Sequence, residues 1–484
     1  MLTFRLSVMM FLELFIWGAY FVSMGIYLPA EAARLNRDAG VEATASAAAD
    51  VDSDQSTTWT EERVNSLVAN AYSAIPLGAL VAPLFLGLLA DRLLPAQVVL
   101  GGLHLIGAVL LWMLPEVDLS LFVPMLIAYA VVYMPTLGLS NTVAFHAISE
   151  SSGDSQKQFP VVRVFGTIGW IVAGLLVSAV LKGDDNAIQF RIAAIGSLLL
   201  GVYSFTLPST PPAMKGKPIS VGSLLGFDAL SLLKNRSFAT FIIASTLLCI
   251  PLAFYYQSAA AYLNNMAPRV AEYLPSDHAA AGLPEGGFAD EVAERTIFGR
   301  PTAVTTIGQM SEIGFMLLIP FFFRRLGTKW MLLVGMFAWV VRYLLFAFAF
   351  DDAVAWMLLL GVVLHGICYD FFFVTGQIYV DKASPAEIRG QAQGLLVLLT
   401  QGLGMIVGAQ LNGLLATRYE LRTDTPDWPA FWIVPAIFAA AVAAAFWALF
   451  KERRPGETID AGPTDEVDTD SVADDGVAPT EPSL

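Results

Sequence analysis

The stretch Trp428–Leu449 reads WPAFWIVPAIFAAAVAAAFWAL and contains no charged side chain. A helix needs about 20 consecutive, mostly apolar residues to cross the hydrocarbon core of a bilayer. This run is long enough, and the chain contains about twelve runs of this kind. They lie near 6–27, 64–89, 98–114, 121–148, 161–181, 190–207, 238–263, 303–323, 330–348, 354–380, 390–415 and 428–449. We therefore predict an all-α membrane protein with twelve transmembrane helices.

The composition agrees with a membrane protein. The chain of 484 residues is 56% hydrophobic and 14% charged, whereas about a quarter of the residues of a soluble protein are charged. The net charge of −15 arises in the loops and at the C-terminus, which argues against a nucleic acid partner. Residues 451–484 are rich in acidic residues, proline and glycine, and we expect a disordered tail.

The apolar runs fall into two groups of six. The Pro-rich connection 208–236 separates a first bundle, 1–207, from a second bundle, 237–450, with the tail 451–484 after them. Two related bundles that rock about a central site are a common design of secondary transporters. Lys and Arg are moderately more frequent in the loops on the side of the termini, which predicts cytoplasmic termini in an inner membrane. The acidic insertions 31–63 and 264–300 are expected to be solvated loops.

Two turns occupy equivalent places in the halves. The first, 87–92, reads GLLADR and includes Asp91 and Arg92, and the second, 324–329, reads RRLGTK. Glycine permits a tight turn, and the charges can cap helix ends and pair differently in two gating states. Either turn alone could be an ordinary basic loop. Together they resemble the inner-loop signature of the major facilitator superfamily, which implies its fold and a gating role for Asp91 and Arg92.

Five ionisable side chains lie well inside predicted spans. A charge at the centre of a span costs about 2.5 to 3.5 kcal/mol on insertion scales. These side chains must therefore face a cavity or one another. They are Glu13, Arg163, Glu312, Arg342 and Asp370.

Helical spacing groups these charges with other polar or aromatic residues. Amide and carboxylate groups can bind hydroxyl groups, and an aromatic ring can stack on a flat ring. The inventory favours a neutral, polyhydroxylated solute that carries a ring. The groups are Arg163, Thr167 and Trp170 on the fifth span, Gln309 and Glu312 on the eighth, His365, Tyr369 and Asp370 on the tenth, and Glu13, Trp17 and Tyr20 on the first.

Roles follow from the chemistry of each group. Burial disfavours the ionised form of a carboxyl group, so Asp370 and Glu312 can accept and release protons, with Arg163 as a counter-charge. Glu13 is interpreted as a gate or a packing group, and Arg342 as a structural partner for a carboxylate or carbonyl group. His365 could serve either the site or the core. The remaining histidines in spans, His104 and His146, are expected at the membrane interface.

Several blocks in order make the chain resemble the nucleoside:proton symporter family of the major facilitator superfamily. Among them, Phe159–Trp170 reads FPVVRVFGTIGW and Tyr133–Thr142 reads YMPTLGLSNT. The resemblance implies ribonucleoside binding in a central cavity of a twelve-helix, proton-driven symporter. Arg163, Thr167, Gln309, Glu312 and Asp370 keep the residue types of its functional positions. The other blocks are Leu224–Asp228, Gln309–Glu312, Ile319–Phe322, Tyr369–Phe372, Ser384–Pro385 and Gln391–Gly394.

The chain departs from this family at several binding positions. Where the family has a Gln and an Asn on the seventh span, this chain has Ala253 and Tyr256. His365 replaces a Tyr, Tyr369 replaces a Phe, and Trp170 replaces a Phe. The binding shell is therefore partly rewritten, whereas the coupling positions are kept.

The sequence thus predicts a proton-coupled nucleoside importer that works by alternating access. A permease of the same fold for a sugar or another polyol is the first alternative, and a non-transporting membrane receptor is the second. No metal-ligand spacing, nucleophile with a base, or phosphate-binding loop points to an enzyme. We expect no cofactor and no metal. The expected partners are the solute, protons and the lipid bilayer, and the expected state is a monomer.

Overall fold

The computed structural model describes residues 1–40, 58–85, 89–90, 92–152, 155–212, 227–272, 297–385 and 388–452. Half of the turn 87–92, including Asp91, lies outside the described residues. So do residues 213–226 of the linker, which include Leu224, and the predicted tail beyond Glu452. The described residues are helical and contain no β-strand.

Long helices follow one another along the chain because lipid offers no hydrogen bonds, so each span must satisfy its backbone groups internally. The α-helices of the first half are α1 (Leu2–Tyr20), α2 (Met24–Asp38), α3 (Glu61–Phe85), α4 (Ala96–Met113), α5 (Leu119–Ser152), α6 (Ser155–Gly174) and α7 (Ile188–Ser204). Those of the second half are α8 (Arg236–Glu272), α9 (Pro301–Phe348), α10 (Ala355–Val363), α11 (His365–Cys368), α12 (Thr375–Ala383), α13 (Arg389–Val397), α14 (Met405–Arg418) and α15 (Trp428–Leu449).

Ten helical segments among the described residues are long and apolar enough to cross a membrane. The number differs from twelve for two physical reasons. The apolar helix α7 is too short to be counted among the ten, and α9 runs through two predicted spans, 303–323 and 330–348. The count of twelve therefore stays a prediction.

Helix α9 is interrupted at Gly327. This residue has a φ of 70° and a ψ of 179°, inside an otherwise helical segment. Glycine adopts a positive φ without the steric penalty that a Cβ atom would bring. The position coincides with the glycine of the predicted turn 324–329, where Thr328 N also donates a hydrogen bond to the Glu452 carboxylate over 2.7 Å.

Both acidic insertions begin as helix rather than as loop. Helix α2 continues to Asp38 and α8 to Glu272, beyond the starts that we expected for solvated loops at residues 31 and 264. Asn36 fixes the end of α2 to the chain before α3, because its amide exchanges hydrogen bonds with the backbone of Trp59 over 2.9 Å. The first part of each insertion is therefore ordered packing surface.

Buried apolar side chains form two large clusters, one in each half of the chain. The first extends from Leu6 to Leu207 and also includes Ala409. The second extends from Ala229 to Phe450. Dispersion and close packing hold such membrane bundles together, since the lipid is as apolar as the side chains.

Within the described residues, three π-helical segments of six or seven residues occur, at Leu175–Val180, Tyr369–Val374 and Leu398–Gly404. Such segments are rare and often occur at functional sites. Two of them lie in the second half, between α11 and α12 and between α13 and α14. They contain Tyr369, Asp370 and Gln401, which become important below.

Candidate functional site

A cavity of about 120 Å³ lies where the two halves meet. Both halves contribute to its wall, which mixes aromatic rings with an Arg, a Glu and two Gln side chains. It is lined by Leu14, Trp17, Phe21, Arg163, Thr167, Trp170, Leu252, Tyr256, Gln309, Glu312, His365, Tyr369, Gln401 and Met405. All seven residues that we predicted for substrate binding are therefore in the wall of one cavity.

Close helix packing sets the positions of the second-half residues. Glu312 lies on α9 and His365 on α11, and α11 approaches α9 at Gly366. A Cβ atom at Gly366 would come within 2.7 Å of the Ser311 carbonyl carbon and 2.8 Å of the Glu312 nitrogen. Only glycine allows this approach, which places His365 Nε2 at 3.9 Å from Glu312 Oε2.

Polar atoms of the wall remain available for a ligand. In the part of the chain that the structure describes, Gln309 Oε1 and Trp17 Nε1 are buried and have no hydrogen-bond partner. Gln309 is only 5% exposed. An unpaired buried polar group costs about 1 to 3 kcal/mol. A solute with hydroxyl groups could satisfy both atoms, because a hydroxyl group donates and accepts.

Aromatic rings surround these polar atoms. In the first half, the Trp17 ring lies 5.4 Å from Trp170 at an interplanar angle of 71°. In the second half, the Tyr256 ring lies 6.2 Å from His365, which lies 5.9 Å from Tyr369. The rings offer faces and edges on which a flat heterocycle can stack.

Asp370 does not line the cavity. It is 0% exposed and follows the lining residue Tyr369 in the π-helical segment. Neither of its carboxylate oxygens has a hydrogen-bond partner among the described residues. A buried carboxylate without a partner is costly while it is ionised, and protonation removes this cost.

Arg342 lies in the core of the second half, away from the cavity wall. Its Nε donates a hydrogen bond to the Gly361 carbonyl oxygen over 3.0 Å, and its guanidinium carbon lies 4.1 Å from the centre of the Tyr255 ring. The Tyr255 ring in turn stacks on His365, with centroids 5.3 Å apart. Arg342 thus supports the cavity wall from behind through Tyr255.

Glu13 belongs to a buried network in the first half rather than to the cavity. Its carboxylate accepts a hydrogen bond from Thr136 Oγ1 over 2.6 Å, and its Oε2 lies 3.1 Å from His104 Nε2. The other ring nitrogen of His104 lies 3.2 Å from Ser197 Oγ. Tyr133 donates to the Glu13 backbone carbonyl over 2.6 Å. Residues from α1, α4, α5 and α7 are therefore joined at one point.

This network corrects the expectation for His104, which is 1% exposed and not interfacial. Its sequence neighbours are apolar, so position along the span suggested an interface. The Glu13 partner becomes visible only when α1 and α4 are packed. Tyr20, the third member of the predicted stripe, also lies in the core of the first half. Trp17 alone among that stripe reaches the cavity.

Six lining residues were not predicted for the site. They are Leu14, Phe21, Leu252, Tyr256, Gln401 and Met405. Tyr256 was noted only as a departure from the family, and its neighbour in that comparison, Ala253, is buried in the second-half cluster. Gln401 could have been found, because an amide inside an apolar span is rare and suggests a functional role.

The turn residues Asp91 and Arg92 keep the gating role only as a prediction. Arg92 lies in a turn that follows α3, and Asp91 lies outside the described residues. No group of three or more His, Cys, Asp or Glu side chains suited to a metal ion occurs within the described ranges.

Comparison with known proteins adds sequence similarity to this geometry. A family model described as nucleoside H+ symporter matches residues 62–455. The putative nucleoside transporter YegT of Escherichia coli (strain K12) is 34% identical over 464 residues, which cover 93% of this chain and 94% of that protein. The xanthosine permease of the same organism is 32% identical over 457 residues, covering 94% and 97% of the two chains.

Solved structures of transporters are also similar to this chain. A crystal structure of the nucleoside transporter NupG matches with a TM-score of 0.72 at 28% identity, covering 93% of this chain and all 100% of that chain. A D-xylose-proton symporter structure matches with a TM-score of 0.64 at 13% identity, covering 95% of this chain and 100% of its own. The latter likeness concerns the fold alone, which is that of the major facilitator transporters.

Proposed function

The chain belongs to the nucleoside H+ symporter family, and from this premise we propose that it carries a nucleoside and protons together across a membrane, with the central cavity as the substrate site. It is a transporter and not an enzyme. The observation that carries the proposal is the meeting of Arg163, Gln309 and Glu312 with aromatic rings from both halves in one wall.

The wall has the chemistry that a nucleoside needs. A nucleoside joins a flat heteroaromatic base to a ribose with hydroxyl groups. Trp170, Tyr256 and Tyr369 supply rings for the base. Gln309 and Glu312 supply acceptors for hydroxyl groups, and Arg163 supplies donors. A sugar would use the same polar groups but would leave the rings without a flat partner.

Proton coupling is assigned to Asp370 and Glu312. Asp370 is buried beside the cavity wall, and Glu312 lies in that wall together with the counter-charge Arg163. A proton on Asp370 removes the penalty of burying its charge. Binding of a proton can therefore favour the conformation in which the site closes, and its release can favour the open one.

Alternating access requires one end of the cavity to close while the other opens. We name the distal end as the end where the start of α3 meets the end of α14. There Asn65 Nδ2 donates to Thr417 Oγ1 over 3.0 Å. About two turns further along both helices, Gln410 Nε2 donates to Ser73 Oγ over 2.9 Å. These bonds join the bundles 1–207 and 237–450, which we propose rock against each other.

The size of the central cavity fits this motion. At about 120 Å³, it is smaller than the roughly 300 to 1,000 Å³ of typical small-molecule sites. Because its wall comes from both bundles, a relative movement of the bundles enlarges it. The present conformation is thus a contracted one.

The proposal extends to the location of the protein. We propose an inner membrane, cytoplasmic termini and a monomer. A fluorescent protein fused to the C-terminus should fluoresce at the cytoplasmic side of the membrane. Light scattering after size-exclusion chromatography should give the mass of one chain plus detergent. Fluorescence that is lost because the C-terminus is exported would contradict the orientation.

The decisive experiment is an uptake panel in proteoliposomes under an imposed pH gradient. Labelled uridine, adenosine, xanthosine and D-xylose are compared with and without an inward proton gradient. We expect the gradient to drive accumulation of one or more nucleosides and not of D-xylose, because the pentose lacks a base for the aromatic wall. Gradient-driven uptake of D-xylose alone would favour the sugar alternative.

A further inference from the structure

A second cavity lies at the distal end, outside the site described above. Its volume is about 390 Å³, larger than that of the central cavity. The wall comes from both halves, with α2 on one side and α8 and the end of α14 on the other. Its polar residues are Asp185, Gln257, Ser258, Asn264, Asn265 and Arg422.

Two buried side chains in this wall each have one polar atom that is not hydrogen-bonded among the described residues. Gln257 is 4% exposed and Trp428 is 3% exposed. Gln257 Oε1 and Trp428 Nε1 have no hydrogen-bond partner in the described ranges of the chain. Burying such atoms is unfavourable unless something satisfies them. Together they offer an acceptor and a donor to a molecule in the cavity.

Arg422 adds a charge whose position is fixed. Its Nε donates to Asn65 Oδ1 over 2.6 Å. Burial lowers the pKa of Arg422 to about 10, so the guanidinium group remains charged near neutral pH. An arginine held in this way provides several N–H donors in a rigid plane.

A thin partition separates the distal cavity from the central one. Tyr256 lines the central cavity, and the next residue, Gln257, lines the distal one. On the first-half side, the Phe21 ring meets the Tyr256 ring with centroids 5.5 Å apart. Both lie on the boundary between the halves, where the bundles would move.

We propose that the distal cavity is a second nucleoside site, which loads the central site through the Phe21–Tyr256 partition. The inference rests on the proposed function, since it uses the same class of solute. Trp428 Nε1 donates a hydrogen bond to the base, and Gln257 and Asn264 bind hydroxyl or ring polar groups. Solute held here is next to the central cavity before the partition opens.

The test is protection of a cysteine in the distal cavity. Ala261 lines this cavity, and the native Cys249 and Cys368 are both 0% exposed and shielded from reagents. The full-length Ala261→Cys protein is labelled with a maleimide in detergent at rising uridine concentrations. We expect uridine to slow labelling, because bound solute covers the new thiol. Ser120→Cys, an exposed position outside the cavity, should show no protection.

Variants of the two sites distinguish direct shielding of the new thiol by bound solute from an indirect effect of solute in the central cavity. In the Ala261→Cys background, Gln309→Ala should leave the half-protecting uridine concentration within about twofold. Gln257→Leu should raise it about tenfold, the effect of one lost hydrogen bond of about 1.4 kcal/mol. Asn264→Ala, at an exposed lining position, should raise it by a smaller factor. This variant keeps the test valid even if Gln257→Leu does not fold.

Three results would contradict these proposals, and each has a different meaning. If Gln309→Ala raises the half-protecting concentration as much as Gln257→Leu does, protection reports binding in the central cavity, and the distal site is wrong. If uridine protects none of these proteins while wild type accumulates it in proteoliposomes, the distal site is wrong and the proposed function stands. Absence of both protection and accumulation for every nucleoside in the uptake panel would overturn both.

Discussion

Glu13 in the first half and Asp370 in the second are both buried carboxyl groups inside apolar helices, but their surroundings differ. Glu13 contacts Thr136 and His104, and His104 continues to Ser197. We call these residues, with Tyr133, the Glu13 network. Asp370 has no hydrogen-bond partner for either oxygen among the described residues.

Other polar groups of the second half share this condition. Within the described ranges, the two terminal nitrogens of Arg342, Nδ1 of His365 and Oε1 of Gln309 also lack hydrogen-bond partners. We call these residues, with Glu312 and Asp370, the Asp370 group. A satisfied network stabilises one arrangement of helices. Unsatisfied groups instead raise the free energy of the present conformation, and a proton, a solute or a change of conformation can lower it.

The comparison therefore assigns a structural role to the Glu13 network and a transport role to the Asp370 group. Members of the Glu13 network should affect folding more than transport. Members of the Asp370 group should affect transport more than folding. The following substitutions test the division, from the largest expected effect to the smallest.

His104→Leu should have the largest effect, on stability. It removes the partner of Glu13 Oε2 and leaves this buried carboxylate oxygen without a hydrogen bond. Breaking a buried pair in this way costs about 3 to 5 kcal/mol. The measurement is the free energy of unfolding in detergent by denaturant titration. A double substitution, Glu13→Leu with His104→Leu, should recover part of the loss.

The matched control is His146→Leu, which changes a half-buried histidine at the end of α5 and should alter stability by well under the same amount. If His104→Leu unfolds like wild type but fails to transport, the Glu13 network takes part in transport, and the division between the two groups is wrong.

Asp370→Asn should abolish proton-driven accumulation while leaving the fold unchanged, because the side chain gives up no hydrogen bond. One proton per solute can sustain about tenfold accumulation for each pH unit of gradient, or about 1.4 kcal/mol. A gradient of about two units would therefore show a loss of roughly a hundredfold. Accumulation of labelled uridine in proteoliposomes measures this effect.

Asp351→Asn is the control, since Asp351 is an exposed acid of the same half and its change should preserve accumulation. Exchange of labelled for unlabelled uridine without a gradient should persist in Asp370→Asn. Wild-type accumulation in this variant would remove Asp370 from the coupling mechanism.

Gln309→Ala should have the smallest of the three effects, a loss of solute affinity by about tenfold. It removes one hydrogen-bonding group from the cavity wall, which is worth about 0.5 to 1.5 kcal/mol. Competition of uridine against labelled solute measures the affinity, and stability should not fall. Gln377→Ala, which changes an exposed amide, is the control. Unchanged affinity would place Gln309 outside the binding surface.

The sequence predicted much of the site because charge in an apolar span needs an explanation. Arg163 and Glu312 stood out for this reason, and helical spacing attached Thr167 and Gln309 to them. The structure places all four in one wall.

Other features could not be read from the chain alone. His104 looked interfacial because its partner Glu13 is 91 residues away. Phe21 and Met405 are ordinary apolar residues in sequence, and only the meeting of the two halves makes them lining residues. The same holds for Gln257 and Trp428 in the distal cavity, which belong to different helices of the second half.

The sequence by itself determined that this protein is a helical membrane transporter, because the run length, the rarity of charge and the family blocks are local properties. The tertiary structure alone decided which buried charges are satisfied and which are available. Hydrogen bonds and cavities depend on atoms from distant helices within about 3 to 4 Å. A periodic pattern records which face of one helix is polar, but not which residue of another helix lies opposite it.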